Sequence, residues 1–336
     1  MKRLVVTGGC GFIGSNFVRL ALEELRGTQV VVFDKLTYAG NLENLADVRG
    51  RANFSFVKGD IADADAVGEV LGEPTDAVIN FAAETHVDRS VMESSAFVVN
   101  NVVGVQVLLD ACRARGVKRV HQVSTDEVYG SLGPTGRFTE ETAPAPRNPY
   151  AATKAAADLL CRAYHVTHGM DVVVTRSCNN YGPYQFPEKV IPLFIANALE
   201  DKAVPLYGDG LNVREWIHVE DNCRALLAVL LKGRAGEVYN VSTDEEITNL
   251  ELTRRLLACM GKPESLIQHA KDRPGHDRRY STDSSKLRKE LGWKPVRGLA
   301  EGLAETVKWY KEHREWWEHI RSGEYQEYYR KQYGDR

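Results

Sequence analysis

Cysteine is sparse and dispersed: Cys10, Cys112, Cys161, Cys178, Cys223 and Cys259 are the six in 336 residues, and no two form a Cys-x-x-Cys pair. That spacing suits neither a disulfide framework nor a zinc site, so buried reduced thiols and no bound metal are expected. No apolar run approaches the ~20 residues needed to cross a bilayer. The apolar stretch after Met1-Lys2-Arg3 is too short for a signal-peptide core. A cytoplasmic chain with no membrane partner is the expectation. Positive charge is not in excess either: 43 Lys and Arg against 46 Asp and Glu leave a net charge of −3 and a pI near 6.3. Nucleic-acid binders usually show a basic face, so no nucleic-acid partner is expected, and an anionic ligand would have to be held by locally placed groups. Internal repeats and low-complexity segments are missing as well.

What is present is the composition of an ordinary globular protein, 43% hydrophobic and 26% charged. A length of 336 residues suits a nucleotide-binding domain plus a substrate lobe. β-rich runs at residues 4–7, 30–34, 54–59, 77–80 and 119–124 alternate with helical patterns at 13–26, 62–71 and 94–115, and 172–176 reads as a further strand. Such alternation predicts βαβ units, hence an α/β fold with a Rossmann-type doubly wound parallel sheet over residues 1–177. Beyond 177, Gly, Pro and Asn become frequent. This predicts a smaller, mixed α/β substrate lobe over residues 178–336, with some segments returning to the first domain. The tail, residues 298–336, is helical in pattern and rich in Trp and Tyr, as a helix packed over that lobe would be.

The turn after the first strand reads Thr7-Gly8-Gly9-Cys10-Gly11-Phe12-Ile13-Gly14, with Gly8, Gly11 and Gly14 in G-x-x-G-x-x-G spacing. Glycine there permits a tight turn and a close approach of backbone to a pyrophosphate facing the free N–H groups of a helix start. Asp34 closes the second strand about 20 residues later, where a carboxylate can bond ribose hydroxyls and repel a 2′-phosphate. NAD rather than NADP is the expected cofactor, with Asp60 and Ile61 placed to contact the adenine edge.

Tyr150 and Lys154 stand at i and i+4, preceded by Asn148-Pro149, a cap followed by a first-turn proline. On a helix they share a face. A nearby ammonium is expected to lower the tyrosine pKa toward that of a base for an alcohol oxidised by nicotinamide. Asp126 and Glu127 follow Thr125 at the carboxyl end of a parallel strand, where α/β folds place ligands. Adjacent carboxyls there can serve as an acid and a base if their environments differ.

With these motifs the chain resembles the extended short-chain dehydrogenase/reductases. Ser124-Thr125-Asp126-Glu127-Val128-Tyr129-Gly130 within it is similar to the signature of the dTDP-glucose 4,6-dehydratases. The likeness continues through residues 34–41, 82–90, 179–185, 212–216 and 273–277. Cys10, Thr85 and Thr153 depart from it, standing where alanine, serine and serine are usual, and all three remain small. The resemblance implies that Tyr150, assisted by Lys154 and Thr125, takes the C4 hydroxyl proton of dTDP-glucose as hydride leaves for NAD⁺. Glu127 would then remove the C5 proton and Asp126 protonate the departing C6 hydroxyl. Cofactor contacts are implied at Gly8, Gly11, Phe12, Ile13, Gly14, Asp34, Lys35, Leu36, Thr37, Asp60, Ile61, Phe81, Ala82, Ala83, Asn100, Tyr150, Lys154 and Asn180. Substrate contacts are implied at Thr85, His86, Thr125, Asn179, Lys189, Val190, Pro205, Tyr207, Arg214, Asn249, Arg273 and His276. Of these, Arg214 has the planar fork best suited to phosphate oxygens.

The resemblance also implies a homodimer paired through the helices at 98–115 and 150–164. A nucleotide-sugar 4-epimerase, a dehydratase specific for UDP-glucose and a catalytically silent NAD sensor are the other readings. The first is opposed by Asp126-Glu127, the last by the intact Thr125, Tyr150 and Lys154. No residue pattern separates thymine from uracil.

Overall fold

A computed structural model of the chain describes residues 1–272 and 275–321. The first half alternates strand and helix as its pattern predicts: β1 (Arg3–Thr7), β2 (Gln29–Asp34), β3 (Phe54–Lys58), β4 (Ala77–Asn80), β5 (Arg119–Thr125) and β6 (Val172–Ser177). The second half adds β7 (Asn179–Tyr181), β8 (Val204–Tyr207), β9 (Val213–His218), β10 (Val238–Val241), β11 (Glu246–Thr248) and β12 (Ile267–Ala270). Runs such as Val30-Val31-Val32-Phe33 are buried on both faces, as strands sandwiched between helix layers must be.

Seven strands form one all-parallel sheet in the order β3-β2-β1-β4-β5-β6-β10, so the winding reverses between β1 and β4. Ligands of open α/β sheets bind in the crevice at such a reversal, beyond the carboxyl ends of the strands. The edge strand β10 and the helix Val219–Lys232 come from the second half of the chain. Cys223, Leu226 and Leu230 of that helix pack with Phe17, Val18 and Ala21 of the helix Phe12–Glu24. The parallel sheet is therefore completed by chain beyond residue 177.

The remaining second half makes a mixed three-stranded sheet, β11-β9-β7, and a parallel pair, β12-β8. Its core joins the helices Val190–Leu199 and Asn249–Met260 to Leu303, Val307, Tyr310 and Trp317 of the tail. The tail is two helices, Leu299–Glu312 and Arg314–Ile320, and its Trp and Tyr side chains up to Trp317 pack as expected. Its expected continuation over 322–336 lies outside the described residues.

One expectation needs correcting. The continuous helical run Ser95–Ala114 is long and apolar enough, by length and composition, to cross a bilayer. Part of the reason lies in its fold: Phe97, Val105, Leu108, Leu109 and Cys112 are buried on its inner side, while Val98, Val99 and Val103 are exposed on the other. The run is also not uniform, for residues Val99–Val103 form a π turn that buries Asn100 and Asn101.

Candidate active site

Beyond β1 the chain turns so tightly that only glycine fits at two positions. Gly8 has φ +66°, and a Cβ on it would run into the backbone of Ala82 beyond β4. A Cβ on Gly14 would strike the Gly8 carbonyl oxygen. The helix Phe12–Glu24 starts at Gly11 with no side-chain cap and no acidic residue in its first turn, so its leading N–H groups face outward unpaired by side chains. That is a cradle for a phosphate.

A cavity opens there, lined by Gly8, Gly11, Phe12, Ile13, Gly14, Asp34, Lys35, Thr37, Asp60, Ile61, Phe81, Ala82, Ala83, Asn100, Tyr150 and Lys154. Asp34 is buried at its rim. One carboxylate oxygen accepts from the Leu36 N–H at 2.8 Å, the other from the Cys10 N–H at 2.9 Å, so it also braces the glycine turn. Burial raises its pKa despite these bonds. Lys35 and Asp60 pair at 2.7 Å across the same rim. Two of the expected cofactor residues do not line this cavity. Leu36, at φ +59°, packs against the core beneath it and contributes its backbone turn. Asn180 faces the neighbouring cavity.

That second cavity is lined by His86, Glu127, Asn179, Asn180, Lys189, Val190, Pro205, Tyr207, Arg214, Asn249 and His276. Gln185, Glu188 and Lys189 border both cavities. Thr85 lines the first cavity, and Arg273 lies outside the described residues. Arg214, buried on β9, donates to the carbonyls of Val213 at 2.7 Å and Asp277 at 2.8 Å and stacks 4.3 Å over the Tyr280 ring. Lys189 donates to the Thr85 carbonyl at 2.9 Å, and His276 bonds Asp272 at 2.6 Å. Around this space the buried amide oxygens of Asn179, Asn180, Gln185 and Asn249 have no hydrogen-bond partner among the described residues. Such atoms are costly unless a ligand or solvent satisfies them.

Of the reactive side chains, Tyr150 and Lys154 line the first cavity and Glu127 the second, while Thr125 and Asp126 line neither. Thr125 ends β5 and caps the following 3-10 turn, Asp126–Tyr129, through its hydroxyl, which accepts from the Glu127 N–H at 3.3 Å. The same hydroxyl donates to Asp126 at 3.3 Å. Asp126 is buried, and its pKa is pushed well up, first by burial and then by Glu127 and Glu215. Glu127 is only partly buried, accepts from the Asn148 side chain at 3.3 Å and opens into the second cavity. The two carboxyls thus sit in different surroundings.

Asn148 also caps the helix Pro149–His168, accepting from the Ala151 N–H at 2.8 Å, with Pro149 in the first turn. The expected cap is the observed one. Tyr150 and Lys154 share the buried face of that helix, and the Lys154 ammonium donates to the Val123 carbonyl at 2.7 Å. The expected lowering of the Tyr150 pKa is not found. Its hydroxyl is pushed up, chiefly by burial and by Glu127, with only Thr125 opposing. Burial draws Lys154 down to about 8. Desolvation acts on both groups and favours their neutral forms.

Several residues around the site escaped the sequence reading. Glu188, buried between the cavities, pairs with Arg89 at 3.0 Å. Asn101, buried in the π turn, binds both backbone groups of Glu84 and donates to Thr153 at 3.0 Å, tying the end of β4 to the Tyr150 helix. Its only signal was an Asn pair inside an apolar helix. Glu215 is fully buried, with one oxygen accepting from the Thr282 N–H at 2.8 Å.

The chain matches the family described as GDP-mannose 4,6 dehydratase over residues 5–306. It is 53% identical to the dTDP-glucose 4,6-dehydratase of Streptomyces niveus over 324 residues, 95% of this chain and 96% of the relative. Among solved structures it is similar to the dTDP-glucose 4,6-dehydratase DesIV of Streptomyces venezuelae with NAD bound. That likeness has a TM-score of 0.92 at 52% identity, covering 95% of this chain and 99% of the other. The Bacillus anthracis dTDP-glucose 4,6-dehydratase in complex with NAD superposes with a TM-score of 0.89 at 46% identity, covering 95% and 100%.

Proposed function

The chain belongs to the family of GDP-mannose and dTDP-glucose 4,6-dehydratases, and from that premise we propose that it converts dTDP-glucose to dTDP-4-keto-6-deoxyglucose, with NAD bound throughout. The observation that carries this reading is the Asp126-Glu127 pair, one carboxyl buried with its pKa pushed well up by that burial, the other open to the second cavity. A 4-epimerase oxidises and re-reduces one carbon and needs no second acid–base pair.

The residues divide the work as follows. Tyr150 must first release its own phenolic proton; the phenolate, beside the Lys154 ammonium and the Thr125 hydroxyl that oppose the cost of its charge, then takes the C4 hydroxyl proton. NAD⁺ held in the first cavity would accept the C4 hydride and, as NADH, return it to C6. The C4 ketone acidifies the C5 proton, which the Glu127 carboxylate removes. Asp126 gives its proton to the C6 hydroxyl, which leaves as water, and Glu127 returns a proton to C5. The glycine cradle and the helix start at Phe12 suit the pyrophosphate of the cofactor, and the buried Asp34 disfavours a 2′-phosphate. Arg214, Lys189 and His276 lie together on the second cavity, where a nucleoside diphosphate needs cations. The unpartnered amide oxygens of Asn179 and Asn249 face the same space and suit its polar edges.

The exposed apolar residues Val98, Val99, Val103, Leu159 and Val166 lie on the two helical runs that would pair a homodimer. They are the grounds for proposing one. The test of function is incubation with dTDP-glucose followed by alkali. A 4-keto sugar chromophore without net NADH formation is the expected result, and an epimerase or a sensor gives no chromophore. Parallel incubation with UDP-glucose reports the base preference.

A further inference from the structure

The helix that presents Tyr150 and Lys154 carries its stripe one turn further, to Asp158, and on to Cys161. All four side chains are buried, and two of them carry charge deep in the molecule. Asp158 meets Arg176 of β6, whose Nε donates to its carboxylate at 2.9 Å with both side chains almost wholly enclosed. Arg176 in turn lies 4.7 Å over the ring of Tyr129, the last residue of the turn that carries Asp126 and Glu127. The Tyr129 hydroxyl donates to Asn240 of β10 at 2.8 Å. Asp158 thus pairs directly with one buried cation, Arg176, and shares the buried helix face with a second, Lys154, one turn away, whose ammonium bonds the Val123 carbonyl. Removing one partner of such a buried group leaves uncompensated charge, which a protein relieves by neutralising whichever member can lose its proton. Arg176 cannot; Lys154 can.

We propose that Asp158 is a positioning residue for the C4 oxidation, holding Lys154 in its ammonium form and, through Arg176 and Tyr129, fixing the Tyr150 helix against the Asp126-Glu127 turn. This rests on the dehydratase reading above. The groups facing Lys154 agree with it. On its own helix Asp158 is the first charge that favours the ammonium, and the Cys161 thiol is kept neutral by burial. From β5 comes only the Val123 carbonyl bond. Asp126 and Glu127, on the turn after β5, act on Tyr150. Arg176, from β6, acts on Asp158 together with Ser124 and Lys154, and these three oppose the upward push that burial gives its pKa.

The test is made on the NAD-loaded enzyme, by following cofactor reduction in a single turnover with dTDP-glucose from pH 6 to 9. Wild type is expected to lose rate above about pH 8, where Lys154 titrates. In Asp158→Asn that alkaline limb should move down by about one pH unit, so that the rate at pH 8 relative to pH 6 falls about fivefold further. Asp158→Glu should restore the limb. A second readout needs no turnover: the Lys154 13Cε resonance of lysine-labelled protein, assigned with Lys154→Arg, should titrate about one unit lower in Asp158→Asn. Should Asp158→Asn fail to fold, the double variant Asp158→Leu with Arg176→Met removes the charges as a pair and keeps the volume. It should show the same two shifts. A folded variant whose limb and resonance stay at the wild-type pH, with only a lower melting temperature, would leave Asp158 a purely structural partner of Arg176 and overturn the proposal. If wild type itself fails to reduce its cofactor with dTDP-glucose, it is the dehydratase reading that falls.

Discussion

Exchanging Glu127 for Gln keeps its shape and deletes its basicity, so bound NAD should still be reduced by dTDP-glucose while C5 takes up little solvent deuterium. Asp126→Asn should allow reduction and exchange but release no water, and Tyr150→Phe should show neither signal. Acid–base groups contribute about 10²–10⁴-fold each, which stopped-flow absorbance and mass spectrometry in one turnover can resolve. Near-normal deuterium exchange in Glu127→Gln would reassign the C5 base. Glu215 allows a stability test. It is fully buried, and burial raises its pKa from 4.5 to about 7. A carboxyl with a raised folded-state pKa stabilises the fold below its unfolded value and loses that contribution as pH climbs through the folded value. Over the interval from 4.5 to about 7 the loss amounts to about 3 kcal/mol. Melting temperature should therefore fall more steeply across that window in wild type than in Glu215→Gln, and run parallel above it. Parallel curves throughout would mean that Glu215 titrates normally.

At the scale of elements, the glycine turn between β1 and the helix Phe12–Glu24 is the most constrained connection at the site. A Cβ at Gly14 meets backbone on two sides, the Gly8 carbonyl and the Gly9 Cα, and neither is a flexible side-chain end. Gly14→Ala must push the helix start away from β1 and misaim its leading N–H groups. The purified variant is expected to fold yet to have lost its bound NAD, read from the ratio of absorbance at 260 and 280 nm and from a lower melting temperature. Retention of stoichiometric NAD would show that the turn absorbs the methyl. The helix Pro149–His168 joins three tasks in one element. Its cap Asn148 contacts Glu127, its first turn presents Tyr150, and its buried stripe reaches Arg176 through Asp158.

For the whole molecule, the exposed valines on the run Ser95–Ala114 and the apolar residues on the helix Pro149–His168 form the surface on which the proposed homodimer depends. Val99→Glu combined with Val166→Glu should place desolvated charge at that surface and give a monomer by multi-angle light scattering, while wild type runs as a dimer. A wild-type monomer at micromolar concentration would refute the assembly. A charged pair that stays dimeric would move the interface elsewhere.

Local pattern alone determined the layout of the first half. The alternation of β-rich runs and helical stretches predicted the parallel sheet. The glycine spacing placed the cradle, Asn148-Pro149 marked the start of the catalytic helix, and i,i+4 spacing put Tyr150 and Lys154 on one face. These are short-range properties, written in residue type and period. Only tertiary structure decided what depends on burial and on distant chain. It sent β10 and the helix Val219–Lys232 back to the first sheet, a pairing no local pattern encodes. It raised the Tyr150 pKa where the ammonium neighbour alone suggested lowering, because burial and then the Glu127 charge disfavour the phenolate more than the Thr125 hydrogen bond favours it. It also brought Glu188, Asn101, Glu215 and the Asp158–Arg176 pair to the site, since a carboxylate or an amide is marked as special only by what encloses it.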